Sequence, residues 1–144
     1  MPRNAALAVC LLVLPLAARA ASYPINPGYW EVKENWLGLV HQTERVCVEP
    51  RNIVKFLAAP CNHIYRCVYP VQQMGGGKIH FEGTWSKRGE LYHVRGSGDY
   101  SPTRVELGVT GHGHWHVMPV PNVSASIRGA FLGPDCPAGA KHFK

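Results

Sequence analysis

The chain has 144 residues, with 15 Lys and Arg against 9 Asp and Glu, and with 8 His, 5 Cys, 15 Gly and 12 Pro. That length holds one domain with one core. The formal net charge of +6 does not make a nucleic-acid binder: the basic residues are scattered, and the closest sets, Lys87-Arg88 and Lys141 with Lys144, form no stripe interleaved with aromatic rings.

Residues 1–20 have the pattern of a secretory leader, with Arg3 as the positive start, an apolar stretch over 5–16 and Ala18-Arg19-Ala20 as the small-residue cleavage signal. The apolar stretch is about a dozen residues long, short of the roughly twenty that a membrane-spanning helix needs. No second apolar span follows, so no transmembrane span is expected, and Cys10, inside the stretch, should leave with the leader. The expectation is a single β-rich domain over 21–144, located in the periplasm or secreted, where thiols can oxidise. Cys47, Cys61, Cys67 and Cys136 then remain. An even number in a small exported domain predicts two disulfides, with three pairings open. A zinc site would want two close Cys-x-x-Cys pairs, which these spacings do not provide.

Glycine and proline punctuate the chain, and the apolar residues between them alternate, the mark of strands with one wet face. Strands are predicted over 28–36 and 39–48. Pro50 then opens a short helix carrying Ile53, Val54, Phe56 and Leu57, which Pro60 closes. Strands follow over 64–71, 78–85, 90–98, 103–110 and 122–131, with turns at Gly75-Gly76-Gly77, at 86–89 and at 98–102. The fold class is therefore all-β, an antiparallel meander of about seven to eight strands forming a curved sheet or barrel, or a two-layer sandwich, with one short helix. The alternation places Phe81, Trp85, Val105, Leu107, Val109 and Ile127 inward, and His80, Glu82, Arg104 and Glu106 in water. Trp30, Trp36, Trp85 and Trp115 supply bulk for the core or walls for a ligand cavity.

His112, His114 and His116 form the one dense set of potential ligands. Alternate residues of a strand lie about 6.5–7 Å apart on one face. Two imidazoles could then share a zinc or copper ion, completed by His80, His93, Glu82 or Glu106 from a neighbouring strand. The competing readings make these residues outward polar positions, or make 111–121 a loop that scatters them. Gly75-Gly76-Gly77-Lys78 lacks the spacing and the following helix of a phosphate loop, and Gly96-Ser97-Gly98 lacks the spacing of a nucleophile elbow. No catalytic residue and no cofactor is expected.

Two end motifs carry a resemblance. Asn26-Pro27-Gly28-Tyr29-Trp30-Glu31, followed by Arg45-Val46-Cys47-Val48 and the turn at Pro50, stands near the start of the domain. Ile127-Arg128-Gly129-Ala130-Phe131-Leu132-Gly133-Pro134-Asp135-Cys136 stands near its end. Together they resemble the bacterial exported domain-of-unknown-function family 3617 (DUF 3617) over about residues 25–136. The resemblance implies a periplasmic or secreted β-rich protein without an assigned activity, so it brings no functional residues. Similar members tend to have a cysteine near the position of Trp85; here Cys61 appears instead. If the family's two middle cysteines pair, the resemblance implies Cys61–Cys67, leaving Cys47–Cys136.

The function these features support is a non-enzymatic periplasmic binding module, with a small apolar ligand as candidate partner. A barrel of about eight strands can be solid or can hold one such ligand. The alternative is a histidine-dependent zinc- or copper-binding protein using His112, His114 and His116.

Overall fold

The structure is a computed structural model that describes residues 23–61 and 64–144; the predicted leader, residues 1–20, lies outside the described residues. The chain forms β1 (Gly28–Trp36) and β2 (Val40–Val48), then a 3-10 turn (Pro50–Asn52) leading into α1 (Ile53–Ala58). It continues through β3 (Arg66–Gly75), β4 (Lys78–Lys87), β5 (Glu90–Ser101), β6 (Arg104–Trp115), β7 (Met118–Gly133) and β8 (Lys141–His142). All eight strands belong to one curved sheet, in the order β3-β4-β5-β6-β7-β1-β2-β8. Every pairing is antiparallel except β2 with β8.

Alternation sets the two faces. Inward go Trp30 and Val32 from β1, Ile79 and Phe81 from β4, Val105, Leu107 and Val109 from β6, and Ala125 from β7, all buried. Outward from β1 goes Glu31, which pairs with Lys33 at 3.2 Å and Arg45 at 3.1 Å. Lys33, then Arg45, hold its carboxyl below the usual range. Phe81 and Gly96 are register partners, and the Phe81 ring occupies the space that a side chain on Gly96 would need.

α1 plugs one end of the inner face. Its Ile53, Leu57 and Ala58 are buried, and the Phe56 ring packs 5.7 Å from that of Trp30 and 5.2 Å from that of Phe143. The last turn of a short helix leaves carbonyls without partners. The Gln72 side chain donates to Ala58 O at 3.1 Å, and Asn52 Nδ2 ties the helix start to Phe143 O at 2.8 Å. The opening motif is explained here too. Gly28 has φ 138 and lies against Gly133 and Pro134, where a side chain would clash, and Trp30 Nε1 donates to Asn26 O at 2.9 Å.

The sheet does not close into a barrel. Closure would require β3 to pair with β2, but β8 takes that edge at Val46 and Cys47, and α1 packs against β3 and β4. The Cys47–Cys136 disulfide, with a Cα separation of 5.8 Å, fastens the tail there; the second disulfide is Cys61–Cys67, at 5.9 Å.

Other expectations shift in detail. The turn placed at 98–102 sits at Pro102-Thr103, because β5 runs on to Ser101. The stretch 111–121 is largely strand: β6 extends to Trp115 and β7 starts at Met118, with a register irregularity between Gly111 and Gly113. Trp85 and Ile127 are half-buried, not buried, and Trp85 owes this to the open end of the sheet. β8 has no apolar alternation to announce it.

Candidate functional site

The end of the inner face opposite α1 is open, and there the inward residues are aromatic. Trp36 closes β1, Trp85 lies near the end of β4, Tyr92 near the start of β5, and Tyr65 just before β3. With Val94, Val109, Val120, Val123 and Ala125 they line a cup of about 290 Å³. Trp36 and Trp85 stand 6.1 Å apart between ring centroids, tilted by 56°. Tyr65 lies 6.2 Å from Trp85 and meets Tyr92 edge-on at 6.0 Å. Tyr65 is held in place by covalent geometry: the Cys61–Cys67 bond brackets it, and Cys67 is the register partner of Trp85.

Both indole N–H groups and the Tyr65 hydroxyl of this wall are engaged within the protein. Trp36 Nε1 donates to Glu34 Oε2 at 3.0 Å, and Trp85 Nε1 to the Tyr69 hydroxyl at 2.6 Å. The Tyr69 hydroxyl in turn donates to Pro60 O. Tyr65 donates to Glu90 Oε2 at 2.7 Å, and Lys87 stands over its ring, 5.8 Å from the centroid. Burial, and then the Glu90 carboxylate, push the Tyr65 phenol up to about 12. Burial also raises Tyr69 to about 12, against the opposing hydrogen bond from Trp85. Both phenols therefore stay neutral and act as donors at ordinary pH. What the cup offers an occupant is mainly π-faces and aliphatic carbon, with Tyr92 and Ser124 adding hydroxyls to the lining, the wall of an apolar ligand site.

The opposite face of the sheet carries a larger groove of about 780 Å³, in which Glu82, His93, Arg95 and His112 lie beside the apolar Pro70, Val71 and Val123. His93 and His112 are register partners on β5 and β6, with rings stacked 5.6 Å apart at 24°.

The histidines singled out in the sequence are thus divided. His112 lies against His93, His114 follows two residues on along the same strand, and His116 leaves β6 for the turn, where φ is 54. Its ring covers Gly89 of the β4–β5 turn and its backbone N–H bonds to Gly89 O. Among the described residues no group of three or more His, Cys, Asp or Glu could hold a metal ion. Trp36 and Trp85 are the cavity walls that tryptophan bulk allowed for, while Trp30 belongs to the core; the side chain of Trp115 lies outside the description. Tyr65 and Tyr92 were missed. Their signal was an inward aromatic at the same end of successive strands, visible only once strand direction is known.

The result is an all-β protein of open, disulfide-tied sheet, plugged by a helix at one end and hollowed into an aromatic cup at the other. The chain belongs to the family described as protein of unknown function (DUF3617), whose profile matches residues 25–136. No curated protein and no solved structure matches the chain.

Proposed function

We propose that this is an exported, non-enzymatic binding module that takes a small apolar ligand into the cup formed by Trp36, Tyr65, Trp85 and Tyr92. The observation that carries the reading is the state of the cup's polar tips: both indole N–H groups and the Tyr65 hydroxyl are satisfied internally. A polar occupant would lose its hydration without gaining partners from them. The cup's volume has room for roughly ten groups of methylene or water size at about 30 Å³ each. Export is supported by the leader pattern of residues 1–20 and by the two disulfides, which persist in oxidising compartments. The test is native mass spectrometry of untagged protein from periplasm, with titration of the apolar dye N-phenylnaphthylamine. A bound apolar mass, and dye binding that Trp36→Ala and Trp85→Ala weaken at least tenfold, support the reading. Dye binding untouched by both substitutions overturns it.

A second reading rests on the His93–His112 pair. Directly opposed residues of antiparallel strands have Cβ atoms about 4.5–5.5 Å apart, close enough for two imidazoles to share one ion. The metal-binding alternative then centres on His93 and His112, with copper or zinc as the ion.

A further inference from the structure

The rim of the cup is apolar as well as its wall. Leu37, Leu39 and Val40 are exposed at the β1–β2 hairpin, and Val117 and Met118 at the β6–β7 hairpin, with Leu39 81% and Val117 94% accessible. Leu37 belongs to both rim and wall, since it lines the cup.

The turns that carry these side chains both enter the left-handed region without glycine at that position, and the β1–β2 turn does so with an unfavourable residue. Among the described residues, Leu37 at φ 56 and His116 at φ 54 are the two non-glycine residues with positive φ, and each occupies the first central position of a hairpin turn. Tight hairpin turns favour Asn, Asp or Gly there; Leu37 is a steric outlier in that region, whereas histidine is among the few side chains that enter it readily. Such strain persists where surrounding contacts hold it and where it serves a site. The surroundings do hold it: Leu37 N donates to Ser124 O at 2.9 Å, and His116 is clamped on Gly89. That clamp sets Val117 beside the β4–β5 turn, which carries Lys87 and Arg88.

The charges at this end are mostly positive. Arg66, opposite Ser86 in the register, and Arg88 have no carboxylate partner among the described residues. Glu90 is occupied by Tyr65 and Lys87, and Glu34 by the Trp36 indole. Exposed apolar tips beside unpaired guanidinium groups match the boundary between anionic headgroups and acyl chains.

We propose that the protein docks its open end on an anionic lipid surface, with the tips of the β1–β2 and β6–β7 hairpins entering the interface and the cup receiving a single acyl chain. The acyl-chain part rests on the cup being the ligand site; the docking part does not, and the two fail separately in the test.

The test is flotation of the purified oxidised protein with vesicles of phosphatidylcholine alone, or with one quarter phosphatidylglycerol, at low and at 1 M salt. Expected is binding to the anionic vesicles that salt weakens. The double variant Leu39→Asp/Val117→Asp should bind at least tenfold more weakly, since two apolar side chains no longer leave water. Arg88→Ser should cost about fivefold. Leu132→Asp, an exposed apolar position at the plugged end, should bind as the unaltered protein does. Dye binding in the cup and the circular dichroism spectrum should be unchanged in the tip variants. Docking is overturned if the anionic vesicles capture no protein, if the double variant floats as well as the unaltered chain, or if the tips instead hold a dimer that the double variant dissociates. If docking is found but Trp36→Ala and Trp85→Ala leave dye binding intact, the acyl-chain part fails alone.

Discussion

The indole N–H of Trp85 donates to the hydroxyl of Tyr69, 2.6 Å away, and Tyr69 donates to the carbonyl of Pro60. The cup's wall is thereby wired to the segment that begins the Cys61–Cys67 loop. This relay needs a protonated phenol, and both Tyr69 and Tyr65 are pushed up to about 12 from the ordinary 10. Tyr65 and Tyr69 should ionise above the ordinary phenol range in an alkaline absorbance titration. The linkage has a definite sign. The unfolded chain releases these protons near pH 10 while the folded one keeps them, so stability is intact below about pH 10 and falls between there and about pH 12. Tyr69→Phe should remove one late-titrating group and flatten that fall; an unchanged profile would contradict the assignment.

The two disulfides should differ in what they protect. In the chain-entropy relation, the 89-residue separation of Cys47–Cys136 is worth about 4.5 kcal/mol and the six-residue separation of Cys61–Cys67 about 2 kcal/mol. Replacing Cys47 and Cys136 by Ser should therefore lower the Tm more. Replacing Cys61 and Cys67 should instead loosen Tyr65, lowering dye affinity more than the first pair of substitutions does while lowering the Tm less. Calorimetry and dye titration of the two double variants check both halves.

Strand phase is tested at neighbouring residues. Phe81 is fully buried against Tyr69 and over Gly96, so Phe81→Ala should cost about 3–5 kcal/mol in urea unfolding. His80 faces the other way and meets Glu82 at 3.3 Å in a solvent-exposed pair, so His80→Ala should cost less than about 1 kcal/mol. Gly96→Ala should resemble the first and not the second, because the added methyl enters the space of the Phe81 ring. Equal tolerance at Phe81 and His80 would show the phase to be wrong.

Zinc or copper added to untagged protein should bind weakly through His93 and His112 and leave the Tm almost unchanged, since no third ligand joins the pair among the described residues. His93→Ala should remove that binding, and His116→Ala should not. Submicromolar affinity lost in His93→Ala would make metal binding the leading function.

Much of this was legible in the sequence where the physics is local. Period-two alternation places Phe81, Val105, Leu107 and Val109 correctly because a strand alternates its faces whatever it pairs with. Pro50 and Pro60 bracket the helix because proline constrains its own backbone and that of the preceding residue. The cup was not legible in the same way. Tyr65 and Tyr92 are 27 positions apart in the sequence and meet because β3, β4 and β5 turn back twice. His93 and His112 likewise need the β5–β6 register before they become a pair. The reading of His112, His114 and His116 as one set overlooked a change of role at the strand's end, where His116 becomes the clamp on Gly89. Barrel closure failed for a non-local reason as well, since a two-residue strand with no pattern of its own occupies the edge that closure required.

The position of β1 in the sheet has a consequence for the order of folding. β3 through β7 pair only with their sequence neighbours until β7 meets β1, whose Tyr29 lies opposite Gly133. Neighbouring hairpins close cheaply, whereas joining β1 to β7 costs the entropy of closing a loop of nearly the whole domain. The five-strand meander is expected to assemble first, with the β1–β2 hairpin docking afterwards and bringing Trp30 into contact with Phe131, 5.5 Å away. A chain emerging from its N-terminus would thus hold Trp30 exposed until β7 follows, and pulse-labelled exchange would show β1 amides protected after those of β4 and β5. Simultaneous protection would exclude that order.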